Sequence, residues 1–323
     1  MTLRRSARVL SVVVIVLVLL VPLKRLVVHL AWKGVTSPPV ERLWTAGAPG
    51  SLGNTEADQP SIAVFLPARW HSIRAGMVIC PGGAYKLLMS GYEGADIARW
   101  LNSFGVAAFV LKYRIAPRYH HPAPLLDATR AVRYVRYHAT RFGLLPDRIG
   151  IIGFSAGGHL ASTVITHFDS PSAAAADPVD RLSARPDFAV LGYPLITLQS
   201  PWTHPESLHD LLGANPDEAL VQELSNDLHV TDRTSPTFLF HTGADAPVPA
   251  ENSILFYSAL RRHGVESELH IFEYGVHGAG LANGHGGTPR VPALLTWSAL
   301  AEEWIASRWP NERTWSYSML FRI

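Results

Sequence analysis

Cysteine is almost absent: Cys80 is the only one in 323 residues. No intrachain disulfide is possible, so the fold must stand on its core. Cys80 closes the apolar, strand-like run Met77-Val-Ile-Cys80 and reads as a small buried hydrophobe rather than a nucleophile. An excess of one charge is also missing. The formal net charge is +2, and no Lys/Arg-rich run interleaves with aromatics, which argues against nucleic acid as a partner. There is no H-E-x-x-H and no tight His/Asp/Glu cluster with metal-ligand spacing. Neither a strand-linked G-x-G-x-x-G nor a G-x-x-x-x-G-K-[ST] marks a nucleotide site. No cofactor and no metal are expected, and no internal repeat is evident. The length suits one large α/β domain.

What is present starts with the N-terminus. Arg4, Arg5 and Arg8 precede Val9 to Leu23, which is almost wholly apolar. This is the basic region and apolar region of an export signal. The run is short for a full membrane span and Lys24-Arg25 interrupts it, with Leu26 to Trp32 as a possible extension. No small-x-small cleavage site stands out, so a cleaved signal peptide and an uncleaved signal anchor are both open. The expectation is an exported protein, periplasmic and membrane-anchored or secreted, touching the membrane only through this segment if it is kept. The chain divides into a signal or anchor (1–33), a linker and lead-in (34–60), a catalytic domain (61–309) and a tail (310–323). Oligomeric state is not legible.

Beyond the lead-in, strand-like and helix-like runs alternate. Ser61–Leu66, Gly76–Cys80, Val106–Leu111, Ile149–Phe154, Phe188–Gly192, Thr237–His241 and Glu266–Phe272 read as strands. Glu93–Phe104, Leu125–Tyr137, Ala156–Phe168, Glu251–His263 and Val291–Ser307 read as helices. In Leu125–Tyr137 the residues Leu125, Ala128, Val132 and Val135 form an apolar stripe, with Arg130, Arg133 and Arg136 on another side. The alternation predicts an α/β fold: a mostly parallel sheet with helices on both faces. Pro194–Pro236 breaks the rhythm and predicts a cap-like insertion before the strand at Thr237.

The centre of the sequence is Gly153-Phe154-Ser155-Ala156-Gly157, G-x-S-x-G between a strand and a helix. That is the pattern of a nucleophile elbow. A serine hydroxyl needs a base, and the base needs a group to orient it. Asp245 and His277 each lie just after a strand, in the order serine, acid, histidine. Ser155 is expected to attack an acyl carbon, His277 to carry the proton and Asp245 to hold the imidazole. Among 15 histidines, His285 is the rival base. Asp227 and Asp232 are rival acids, but both precede their strand. Asp127 and His159 are expected to be structural. The oxyanion donors should be the backbone N–H of Ala156 and those of the glycine turn Pro81-Gly82-Gly83-Ala84, at Gly83 or Ala84.

Four stretches together resemble bacterial acetyl esterases and acetylxylan esterases of the α/β-hydrolase superfamily. They are Ile79–Tyr85, Arg148–Ala161, His241–Asp245 with Pro249–Ser253, and Glu268–Phe272 with Gly275–Gly278. Leu43-Trp44 and Gly47–Gly50 resemble that family's opening. The resemblance implies the α/β-hydrolase fold, the triad Ser155, Asp245, His277 and an oxyanion turn at Gly82–Ala84. Members often carry a third glycine where this chain has Ala84. It also implies a serine esterase that removes acetyl or another short acyl group from a small ester or acetylated carbohydrate. Tyr85, Trp202 and His204 are expected to contact the substrate. The alternatives are a short-chain lipid or feruloyl-type esterase, or a peptidase or amidase on the same triad.

Overall fold

The runs rich in Val, Ile, Ala and Phe pair into a single sheet. A computed structural model describes residues 37–168 and 172–309. The expected signal (1–33) and the tail (310–323) lie outside the described residues. The strands are β1 (Val40–Arg42), β2 (Ser61–Phe65), β3 (Gly76–Cys80), β4 (Ala107–Lys112), β5 (Ile149–Phe154), β6 (Ala189–Gly192), β7 (Thr237–Thr242) and β8 (Ser267–Phe272). Their order is β1-β2-β4-β3-β5-β6-β7-β8. β1 and β2 are antiparallel to their neighbours, and from β4 to β8 every pairing is parallel. The fold is that of an α/β-hydrolase.

Helices cover both faces of the sheet. They are α1 (Asp96–Ser103), α2 (Ala123–Tyr137), α3 (Ala139–Phe142), α4 (Ala156–Thr166), α5 (Pro205–Leu212), α6 (Glu218–Glu223), α7 (Glu251–Arg262) and α8 (Thr296–Ser307). Alternate residues of each strand face opposite layers, as the two-residue period of a strand requires. Val78, Ile151 and Leu239 pack with α2, α4 and α7. Ile79, Ile152, Phe154, Phe238 and Phe240 pack with α1 and α8. Trp297 of α8 stacks on Phe240 with ring centroids 4.1 Å apart. Cys80 is fully buried in the core, and burial pushes its thiol pKa up.

Three expectations shift. β1 falls inside the stretch read as linker, and Leu43 and Asp58 there are buried, so this lead-in belongs to the domain. Helix α1 begins later than expected because a wide turn over Gly91–Ala95 precedes it and turns Glu93 into the interior. Helix α8 likewise starts only at Thr296. The arginine side of α2 is also buried. Arg130 donates to the Leu43 carbonyl and pairs with Asp177 and Asp180, while Arg136 pairs with Asp187 at 3.0 Å. These arginines tie α2 to loops.

The sheet positions the site. The chain runs from β3 outward to β4 and then crosses back to β5 on the other side of β3. The carboxyl ends of β3 and β5 therefore flank a topological switch point, where open α/β sheets form a crevice. Arg114, just beyond β4, and Asp127 of α2 make a buried pair at 2.7 Å, and the Arg114 backbone N–H also donates to Asp127. Asp127→Asn leaves a buried guanidinium without its carboxylate. It should cost about 3–5 kcal/mol in urea unfolding followed by tryptophan fluorescence, and the double change Arg114→Met, Asp127→Leu should cost less.

Candidate active site

Ser155 sits at the tip of β5 with φ 54° and ψ −123°. Such a conformation costs a residue with a side chain of order 1–3 kcal/mol and persists only where the surroundings enforce it. Here its N–H donates to the Gly192 carbonyl at 3.1 Å, and its carbonyl accepts from Leu195 and His159. The flanking glycines are required by contact. A Cβ at Gly153 would stand 2.1 Å from the Gly157 carbonyl oxygen, and one at Gly157 would stand 2.1 Å from that of Cys80.

Ser155 Oγ lies 2.7 Å from His277 Nε2, and His277 Nδ1 lies 2.7 Å from Asp245 Oδ2. Asp245 follows β7 and is buried. Burial by itself would raise its carboxyl. The nearby His241 and His277 rings and the Val248 N–H outweigh that and hold it at about 2. His241 is buried and anchored by Ser253 Oγ and the Val248 carbonyl. The His277 ring meets the edge of Tyr193 at 5.3 Å. The rival His285 is exposed and faces Asp96 at 3.8 Å.

The turn after β3 faces Ser155. Gly83, Ala84 and Tyr85 have φ of 127°, 55° and 63°, so Ala84 holds a left-handed conformation with a methyl in place. A Cβ at Gly83 would meet the Leu87 carbonyl oxygen at 2.3 Å. Among the described residues, the N–H groups of Gly83 and Ala84 donate to no protein acceptor. The Ala156 N–H is the first of α4, where no intrahelical acceptor exists. Gly83, Ala84, Ser155 and His277 line one cavity of about 240 Å³. Leu87, Met89 and Tyr92 give it apolar surface, and Lys86, His204 and Glu206 give it polar groups. His204 and Glu206 come from the insertion between β6 and β7.

Two expected substrate contacts are corrected. Tyr85 is buried and its hydroxyl donates to His159 Nδ1 at 2.8 Å, while His159 Nε2–H donates to the Leu224 carbonyl. The left-handed backbone at Tyr85 turns its ring into the core, away from the cavity. Burial pushes the His159 imidazole down to about 4, which fits a structural role. Trp202 is not among the cavity residues, and its carbonyl accepts from Asn252. His204 does line the cavity, with its Nδ1 turned to Ser207.

Sequence reading missed Glu93 and Tyr193. Glu93 accepts from the Gly82 N–H and from the Tyr193 hydroxyl, both at 2.8 Å, and the Tyr193 oxygen accepts from the Gly280 N–H. One buried carboxyl thus links the glycine turn to the loop that carries His277. Burial pushes the Glu93 carboxyl up, against the opposing pull of these donors and of His277. A glutamate at the start of an amphipathic pattern gives no sign of pointing inward. Among the described residues His167, Glu223 and His229 come together outside this cavity, from positions with no ligand spacing in the sequence.

The depressed Asp245 carboxyl carries a sign. Its contribution to stability is complete above the ordinary aspartate value near 3.9 and is lost as the pH falls through about 2. Relative to Asp245→Asn, the wild-type protein should lose about 2 kcal/mol as the pH falls from about 5 toward 2. Urea unfolding across that range checks this, and a gap independent of pH would contradict it.

A family model described as BD-FAE matches residues 63–260. The chain is 37% identical over 210 residues to an endo-1,4-beta-xylanase B of Butyrivibrio fibrisolvens, covering 64% of this chain and 33% of that protein. It is 33% identical over 234 residues to an acetylxylan esterase of Xylanibacter ruminicola, covering 71% and 46%. The chain therefore spans between a third and a half of these curated relatives. Among solved structures, it is similar to an acetyl ester-xyloside bifunctional hydrolase from Caldicellulosiruptor lactoaceticus. That match has a TM-score of 0.77 and 43% identity, and covers 85% of this chain and 98% of the other. The chain belongs to the BD-FAE family.

Proposed function

We propose that this BD-FAE family member is a serine carboxylic-ester hydrolase that removes acetyl or another short acyl group from a carbohydrate of the acetylxylan type. The observation that carries the reading is the unbroken relay from Ser155 through His277 to Asp245, at 2.7 Å for each step, opening on unpaired backbone donors. The relatives named for acetylated xylan or xyloside support the substrate class.

The steps follow from the geometry. Ser155 Oγ adds to the ester carbonyl carbon as its proton passes to His277 Nε2. The negative charge that develops on the carbonyl oxygen meets the N–H groups of Gly83, Ala84 and Ala156. Collapse expels the alcohol, which takes the proton from His277 and leaves an acyl-serine. Water, deprotonated by His277, then releases the acid. Asp245 stays ionised throughout and stabilises the imidazolium. A cavity of about 240 Å³ holds a small acyl group and gives no room to bury a long one. Lys86 and Glu206, paired at 3.2 Å and both exposed, with His204 beside them, offer hydrogen bonds to a sugar outside it.

Initial rates on acetyl, butyryl and octanoyl p-nitrophenyl esters, beside acetate release from acetylated xylan, test the reading. The expected result is fast acetate release, a steep fall beyond butyryl, and a loss of about 10⁴-fold or more in Ser155→Ala. Activity equal to the Ser155→Ala control would sink it. We extend the proposal to location: residues 1–33 direct export and the enzyme works outside the cytoplasm. Among the described residues no helix is long and apolar enough to cross a membrane. Fractionation of cells producing the full chain should find it in periplasm, membrane or medium. Recovery only from cytoplasm would overturn the export reading and leave the chemistry standing.

A further inference from the structure

We propose that His167, Glu223 and His229 form a binding site for one divalent transition metal of the zinc class, at the carboxyl end of α4. The site is separate from the esterase reading and does not depend on it. Its three residues come from different elements: His167 caps the end of α4, Glu223 is the last residue of α6, and His229 follows the turn Asn226–Leu228. One nitrogen or oxygen from each lies within 4.8 Å of the others. His167 Nε2 is 3.5 Å from Glu223 Oε1, and His229 Nε2 is 4.0 Å from Glu223 Oε2. Ligands about 2.1 Å from a tetrahedral zinc stand about 3.4 Å from one another. The observed spacing is slightly wider, within reach of small side-chain rotations.

His167 Nδ1 lies 2.8 Å from the Thr166 hydroxyl, which can accept an N–H from the ring while donating its own proton to the Ser162 carbonyl. In that tautomer the lone pair of the ring lies on Nε2. That atom is shut off from solvent, has no hydrogen-bond partner and faces Glu223 Oε1 at 3.5 Å. A cation between the two would be held by both.

The surroundings agree. The carboxyl end of a helix carries partial negative charge that favours a cation. Two imidazoles and a carboxylate suit zinc, with water in a fourth position. The Thr166 hydroxyl supplies the outer hydrogen bond that orients a ligating histidine. One contact opposes binding: His229 Nε2 lies 3.1 Å from the Gln222 carbonyl and must give up that bond. Glu223 is exposed and His229 half-buried, so both have freedom to adjust. A bound ion would fasten the insertion to the end of α4 opposite Ser155.

The test uses the full chain, stripped with a chelator and returned to chelator-free buffer. Titration with Zn²⁺ alone, followed by calorimetry, should show one equivalent bound with a micromolar or lower dissociation constant. Thermal unfolding at about 100-fold excess over that constant should rise by about 4 °C. Co²⁺ in place of Zn²⁺ should give visible absorption of a four-coordinate nitrogen–oxygen site. Glu223→Gln, at an exposed position that folding tolerates, should weaken binding at least about tenfold, and His229→Asn likewise. His209→Asn, an exposed histidine outside the group, should leave binding intact. No saturable binding below millimolar Zn²⁺ overturns the proposal. So does binding that Glu223→Gln and His229→Asn both leave at wild-type strength.

Discussion

Gly157 brings the first turn of α4 so close to the end of β3 that a methyl there would stand 2.1 Å from one carbonyl oxygen, that of Cys80, and 2.5 Å from another, that of Pro81. Most of the site follows from this approach. It places the first N–H of α4 beside the glycine turn, so donors from two distant parts of the sequence converge on one spot. It leaves no room for a side chain at Gly82 either, where a Cβ would be 2.7 Å from the Phe154 carbonyl oxygen. It also requires the sharp exit from β5 that puts Ser155 at φ 54°. The glycines are thus consequences of a packing distance, and the strain at Ser155 is held by the same contacts.

Backbone proximity alone would not keep the two loops in register. Glu93 and Tyr193 do that beneath the cavity, through bonds to Gly82 and Gly280 at either end of the chain of contacts. Trp297 adds an indole N–H donated to the Gly280 carbonyl at 3.0 Å while its ring stacks on Phe240. The His277 loop is therefore fastened to the sheet from below as well as to Asp245 from the side. Buried polar groups of this sort are costly unless every member is satisfied, and here each partner is accounted for. The arrangement fixes the imidazole before any substrate arrives, which is what preorganised charge stabilisation requires.

The parts of this design legible in the sequence are the local ones. A strand, a G-x-S-x-G and a helix are contiguous, so the elbow declares itself. Asp245 and His277 declare themselves by position just after a strand, and the structure does bring them to Ser155. What depends on direction was not legible. Tyr85 follows the glycine turn and resembles a substrate contact, yet a φ of 63° sends its ring to His159. Glu93 lay in a helical pattern, and the wide turn that buries it has no spacing signature. β1 is short, and its outer residues are exposed, so it lacked the apolar run that marks a strand. The grouping of His167, Glu223 and His229 escaped for a different reason. Motif spacing finds ligands that share one helix or hairpin, and these come from separate elements joined only by tertiary packing.

The insertion between β6 and β7 was expected to act as a cap, and its packing argues that it is a fixed wall rather than a moving lid. Asn226 is fully buried and its amide donates to the His159 carbonyl, Ser162 Oγ and Thr163 Oγ1, all on α4. Asn252 accepts from the backbone N–H groups of Ile196 and Thr197, and Ser225 Oγ accepts from that of Leu198. Opening the segment would expose these amides and hydroxyls from a dry interior and break several bonds at once, each worth about 1 kcal/mol net and more where a buried partner is left unpaired. Mobile lids are drawn from segments with few such anchors. The same side chains that hold the insertion to α4 therefore hold His204 and Glu206 at the cavity.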